Sequence, residues 1–127
     1  VSGDASYLYY SIGYDTVGVY TIKPGKLSSK KYSDSICVIG GKNGTAYFSR
    51  YDTYSTYAYH AKENKVTTVK KNKLLTDLTF SKSGYQVVKY SMTQEEFEAS
   101  GYQYDMAVAR MKIDGTGFKT LKKYFVS

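Results

Sequence analysis

The sequence predicts an all-β protein of three similar antiparallel units with one short helix inserted in the third, and three observations carry that prediction. Apolar and polar residues alternate at period two along most of the chain, the pattern of pleated strands with one face buried. Tyrosine occurs 16 times, proline once and tryptophan never, which suits strands better than helices. The strand pattern also recurs, with intervals of 39 and then 52 residues separating the equivalent positions Leu27, Val66 and Phe118. At 127 residues the chain has the size of one domain, so a single repeat domain is expected, with units at about 1–35, 36–74 and 75–127.

Taken in chain order, each unit opens on the same strand. Tyr7-Leu8-Tyr9-Tyr10-Ser11 stacks on Ala46-Tyr47-Phe48-Ser49-Arg50 and on Tyr85-Gln86-Val87-Val88-Lys89. A second strand follows at 19–23, 58–62 and 110–114, where Tyr20 and Ile22, Tyr59 and Ala61, and Met111 and Ile113 are expected to face a core. Tight turns at Pro24-Gly25, Glu63-Asn64 and Gly115-Thr116 then lead into third strands, a hairpin signal. Residues 36–39 and 75–80 are expected to close the first and second units as fourth strands, each running through a glycine-containing turn into the next unit. The third unit shows no fourth strand before Ser127.

The longer second interval marks an insertion. Within it Met92-Thr93-Gln94-Glu95-Glu96-Phe97 reads as a helix start. Thr93 is the cap, Glu96 completes a capping box, Met92 packs on Phe97, and Gly101 ends the helix.

Four-stranded units of about 40 residues read as propeller blades. The run Met111-Lys112-Ile113-Asp114-Gly115-Thr116-Gly117-Phe118-Lys119-Thr120-Leu121, with Gly3-Asp4 ahead of Tyr7, resembles the blades of a bacterial extracytoplasmic propeller family. That family is related to TolB and to the YWTD-type blades of lipoprotein receptors. The resemblance spans nearly the whole chain and implies a secreted or cell-surface location. The first two units depart from it, with Lys23-Pro24-Gly25-Lys26 and Lys62-Glu63-Asn64-Lys65 in place of Asp-Gly. Propellers close with about four to eight blades. Three units therefore imply a fragment, an open array or half of a ring completed by a second copy; a β-trefoil is the alternative that closes in one chain.

Eighteen Lys and Arg against eleven Asp and Glu give a net charge of +7. Only Arg50 and Arg110 are arginines, which argues against specific nucleic-acid reading, where the guanidinium fork is favoured. Cys37 stands alone, so no intrachain disulfide forms, and its neighbours Ile36, Val38 and Ile39 predict a small, buried, inert residue. No stretch approaches the roughly 18 apolar residues that cross a bilayer, so a soluble chain without membrane insertion is expected. A start at Val1 rather than Met implies processing or trimming.

No catalytic, cofactor or metal set stands out. His60 is expected on a solvated strand face, Asp114-Gly115-Thr116-Gly117 is a turn between strands rather than a phosphate loop, and Asn43-Gly44-Thr45 is a formal glycosylation sequon. Lys31, Lys70 and Lys122 recur on the third strand of each unit, where lysine guards a sheet edge against pairing; a basic face for an anionic polymer is the other reading. Binding is expected instead at exposed aromatics and the inserted helix. Tyr51 and Tyr54 lie in the loop at 51–55, and Glu95, Glu96, Phe97 and Tyr102 lie in or after the helix. Together they are expected to form an edge that engages a protein or glycan partner at a bacterial surface. The alternatives are a ligand or catalytic site in the axial channel of a dimeric six-bladed ring, and a trefoil lectin.

Overall fold

The computed structural model describes residues 2–3 and 5–126; Val1, Asp4 and Ser127 lie outside, and with them the aspartate of the Gly3-Asp4 signature. The protein is all-β apart from one helix. Its strands form three four-stranded antiparallel meanders, each in chain order and none closed on itself. The first comprises β1 (Ser2–Gly3), β2 (Tyr7–Ile12), β3 (Thr16–Thr21) and β4 (Lys26–Lys31). β5 (Ile36–Lys42), β6 (Thr45–Arg50), β7 (Ser55–His60) and β8 (Lys65–Lys70) make the second. The third holds β9 (Leu75–Thr79), β10 (Tyr85–Ser91), β11 (Met106–Lys112) and β12 (Lys119–Tyr124), with α1 (Gln94–Ala99) between β10 and β11. Every ladder among the described residues joins strands of one sheet. A trefoil pairs strands of different units in a shared barrel, so that alternative does not describe this chain.

Residues 36–39 and 75–80, expected as fourth strands closing the first two units, open the second and third sheets, which agrees with unit starts at about 36 and 75. Asn43 and Gly44 adopt φ 53° and 83°, the left-handed pair of a two-residue type I′ hairpin turn, which makes β5 and β6 antiparallel neighbours. β9 is likewise laddered to β10, so the third sheet has its four strands within the chain.

Two compact units divide the structure, Val1–Leu74 and Leu75–Ser127. In the first, sheets one and two pack face to face. Tyr9, Val17 and Val19 meet Ile36, Ala46, Phe48 and Tyr59 in a core that leaves none more than 6% exposed. Two details fix the contact. The Gly44 N–H donates to Tyr9 Oη at 2.9 Å, and the Tyr9 ring lies directly on Gly41, where a β-carbon would overlap it. Glycine is required at 41 because an aromatic face occupies the space of its missing side chain.

Register and strand ends correct four expectations. The first rungs of the central hairpins are Tyr7↔Thr21, Thr45↔His60 and Tyr85↔Lys112, so Tyr7 is equivalent to Thr45 and Tyr85, not to Ala46. A one-residue slip exchanges the two faces of a strand, and Phe48 therefore shares its face with Ala46, opposite to Tyr47. In β3 the core residues are Val17 and Val19; Tyr20 takes the other face, and Ile22 is 43% exposed because the β3–β4 turn begins there, closed by Gly25 N–H to Thr21 C=O at 3.0 Å. Tyr59 and Met111 are buried as expected, whereas Ala61 and Ile113 fall just past their strands and are half-buried. Cys37, expected inside, is exposed: alternation buries Ile36 and turns its neighbour outward.

In the second unit, Gln86, Val88 and Tyr90 on β10 stand opposite Met111, Ala109 and Ala107 on β11, and these six form one buried face. α1 is closed at both ends. The Thr93 hydroxyl accepts from Glu96 N–H at 3.1 Å while Glu96 Oε1 accepts from Thr93 N–H at 3.1 Å, the capping box expected. At the other end Phe97 C=O accepts from Tyr102 N–H and Glu98 C=O from Gly101 N–H, a Schellman motif with Gly101 at φ 72°.

Candidate functional site

The expected binding residues divide between the two units, Tyr51 and Tyr54 in the first, and Glu95, Glu96, Phe97 and Tyr102 in the second. Tyr51 and Tyr54 sit in the β6–β7 turn. Asp52 organises it, accepting from Arg50 Nη2 at 2.6 Å and from Thr53 N–H at 2.8 Å, while Tyr57 Oη donates to Thr53 Oγ1 at 2.8 Å. The Arg50 hydrogen bond holds the Asp52 carboxyl below its ordinary range. Tyr51 is thereby presented 54% exposed on a braced turn, whereas Tyr54, at φ 51°, is half-buried.

Behind the turn the Arg50 guanidinium lies 4.3 Å from the Tyr32 ring centre and 5.7 Å from that of Tyr57. Burial pushes the Tyr32 hydroxyl up, against the pull of the Arg50 charge. This aromatic and cationic stack spends Arg50 on structure rather than on a ligand.

The second-unit residues form a tighter group. Phe97 meets Tyr102 edge to face with ring centres 5.3 Å apart, the apolar contact that accompanies a Schellman motif, and stacks on Phe125 at 6.3 Å and 13°. Val126 N–H donates to Asp105 Oδ1 at 2.9 Å, and Asp105 N–H donates to Tyr124 C=O at 3.1 Å, so the chain carrying Phe125 is anchored. Tyr102, Phe125 and Val126 remain 62%, 56% and 67% exposed. Glu96 is engaged in the cap, while Glu95 and Glu98 face solvent. Sequence reasoning missed Phe125. Its signal was the apolar pair Phe125-Val126 following Tyr124 at the end of the last strand, which no strand needed.

The remaining candidates resolve individually. Both ring nitrogens of His60 are hydrogen-bonded, Nδ1 to the Thr45 hydroxyl at 3.1 Å and Nε2 to that of Thr67 at 2.8 Å, so it is a half-buried cross-strand link rather than a solvated residue. Lys31, Lys70 and Lys122 lie on β4, β8 and β12, each an edge strand of its sheet. Asp114 does form a turn, its carboxylate accepting from both the hydroxyl and N–H of Thr116, which hold it below its ordinary range.

One feature of the first unit had no counterpart in the sequence reading. Where the ends of the first two sheets meet, a cleft of about 160 Å³ is lined by Tyr7, Thr21, Lys26, Ser28, Ala61 and Lys62. A smaller one of about 70 Å³ adjoins it, sharing Ala61 and Lys62 and adding His60 and Glu63. The residues of the larger cleft come from β2, β3, β4 and the β7–β8 turn, so only the packing of two sheets brings them together.

Compared with protein-family models, with curated proteins and with solved structures, the chain matches none.

Proposed function

We propose that this chain is a non-enzymatic binding module built of propeller-type blades, acting in secreted form or at a bacterial cell surface on a protein or glycan partner. The observation that carries this reading is the pre-ordered aromatic group in which half-buried Phe97 backs the exposed rings of Tyr102 and Phe125, held by a capped helix end and an anchored strand exit. Rigid, solvent-facing rings bind with little loss of side-chain freedom, and aromatic anchors dominate binding interfaces. The exposed carboxylates Glu95 and Glu98 beside them supply hydrogen-bond acceptors. Co-sedimentation with isolated bacterial cell envelopes tests the reading. Binding is expected, and Tyr102→Ala with Phe125→Ala should weaken it by about tenfold or more. Loss of binding after glycan-hydrolase digestion of the envelopes identifies a glycan, and loss after protease digestion a protein. Absent binding, or equal binding by the variant, refutes the proposal.

A second reading, half of a ring closed by another copy, is favoured by a separate observation. At equivalent positions on β2, β6 and β10, Leu8 is 37% exposed while Ala46 and Gln86 are buried; one residue on, Tyr9 and Tyr47 are buried while Val87 is 46% exposed. Within the first unit, the first sheet thus leaves open the face that the second covers. Two chains of three blades give six, within the closing range of about four to eight.

A further inference from the structure

We infer that the cleft at the ends of the first two sheets is a binding site for a small phosphate ester of a polyol or sugar. This goes beyond the module reading, and it involves other residues in the other compact unit.

Charge comes first. Lys26 and Lys62 both line the cleft, and among the described residues neither has a carboxylate within ion-pair distance. Elsewhere in the same unit Lys31 lies 4.0 Å from Asp15, Arg50 is paired with Asp52, and Lys30 sits 5.8 Å from the Tyr32 ring centre. Two ammonium groups with no ion-pair partner among the described residues, bordering one concavity, focus positive potential there, which an entering anion relieves. Among the described residues Glu63 is the one carboxylate lining either cleft, and it borders the smaller, so the charged residues described around the larger are both cationic.

The rest of the lining favours an anion with hydroxyls attached. Thr21 and Ser28 bring two hydroxyls that donate or accept, and Tyr7 brings an aromatic ring and a phenol. The Tyr7 ring is held in place: it stacks on Tyr9 with centres 6.3 Å apart, and Gly44 backs it so closely that a β-carbon there would stand 3.2 Å from the ring. At about 160 Å³ the cleft admits one small polyol or sugar unit, well short of the roughly 300 Å³ at which drug-sized pockets begin. The lysines take the phosphate as point charges, and the hydroxyls and the tyrosine take the polyol.

The test is a titration of the isotopically labelled protein with glycerol 3-phosphate, followed by amide chemical shifts at physiological salt, where the diffuse field of the basic chain is screened. Saturable shifts are expected at Thr21, Ser28, Ala61 and Lys62, with a dissociation constant on the order of 1 mM for so small a ligand. The Lys26→Gln, Lys62→Gln double variant should weaken binding at least tenfold. A Lys122→Gln, Lys123→Gln variant, carrying the same loss of charge on β12, should leave it unchanged, and glycerol alone should produce no saturable shift. Four outcomes would overturn the inference: shifts that stay linear to about 20 mM, saturation at other residues, equal weakening by both double variants, or binding of glycerol as tight as that of its phosphate. The envelope-binding test concerns the second unit's aromatics, so either proposal can fail without the other.

Discussion

Tyr9 shows how one side chain ties two sheets together. Its ring is completely buried, its hydroxyl satisfies the Gly44 N–H that the hairpin turn leaves over, and its face rests on Gly41. Gly41→Ala should therefore destabilise the protein by about 1–3 kcal/mol, because the added methyl meets a buried ring that has nowhere to move. Tyr9→Phe should cost a comparable amount, about 1–3 kcal/mol, by stranding a buried N–H. Urea denaturation checks both, and a midpoint unchanged by Gly41→Ala would show that the ring can yield. None of this was legible in the sequence. The hydrogen bond joins residues 35 apart, and Tyr9 looks no different from its neighbours Tyr7 and Tyr10. Cys37 was misread for a related reason: a run of apolar neighbours fixes composition but not which face an individual residue takes, and only the ladder Cys37↔Ser49 settles that.

For whole elements, local chemistry was easier to read. The helix was placed from Thr93 and Glu96 because a capping box is a contact between residues three apart, and the insertion carried every part of it. The turns were legible too, but the strand order around Asn43-Gly44 was not, since the same turn can be read as ending one unit or as lying within the next. Its φ values decide: a type I′ turn joins neighbours in one sheet. The helix's stability is open to a direct check. Thr93→Ala removes the side-chain acceptor of the box and should cost about 1 kcal/mol, whereas Thr93→Ser should retain it. The loss should be local, with hydrogen exchange quickening at Glu96 and Phe97 while the amides of β10 and β11 keep their protection. Uniform loss of protection in both strands would mean that the helix holds the sheet rather than decorating it.

At the scale of the whole molecule, period-two alternation and the repeat were enough for the all-β class and the four-stranded units, because both rest on sums over many residues that a single slip does not upset. Which faces stay open could not be read in the same way. Leu8, Ala46 and Gln86 occupy equivalent places yet differ in exposure, and Gln86 is polar and buried where Leu8 is apolar and half-open, so hydropathy runs against burial at this position. An exposed face bearing Leu8, Ile12 and Leu27 is unusual for a surface that meets only water, and lysine-rich β4 beside it discourages edge pairing while leaving the face itself free. Face-to-face closure with a second copy is then expected to show as a mass of two chains by light scattering on a sizing column, persisting at moderate salt because the contact is apolar rather than ionic. Leu8→Glu should return that mass to one chain, since a carboxylate buried against an apolar face without a partner costs several kcal/mol. A wild type that elutes as a single chain at every concentration would leave the ring without its second half, and Leu8 would then be an apolar residue that the fold tolerates at its surface.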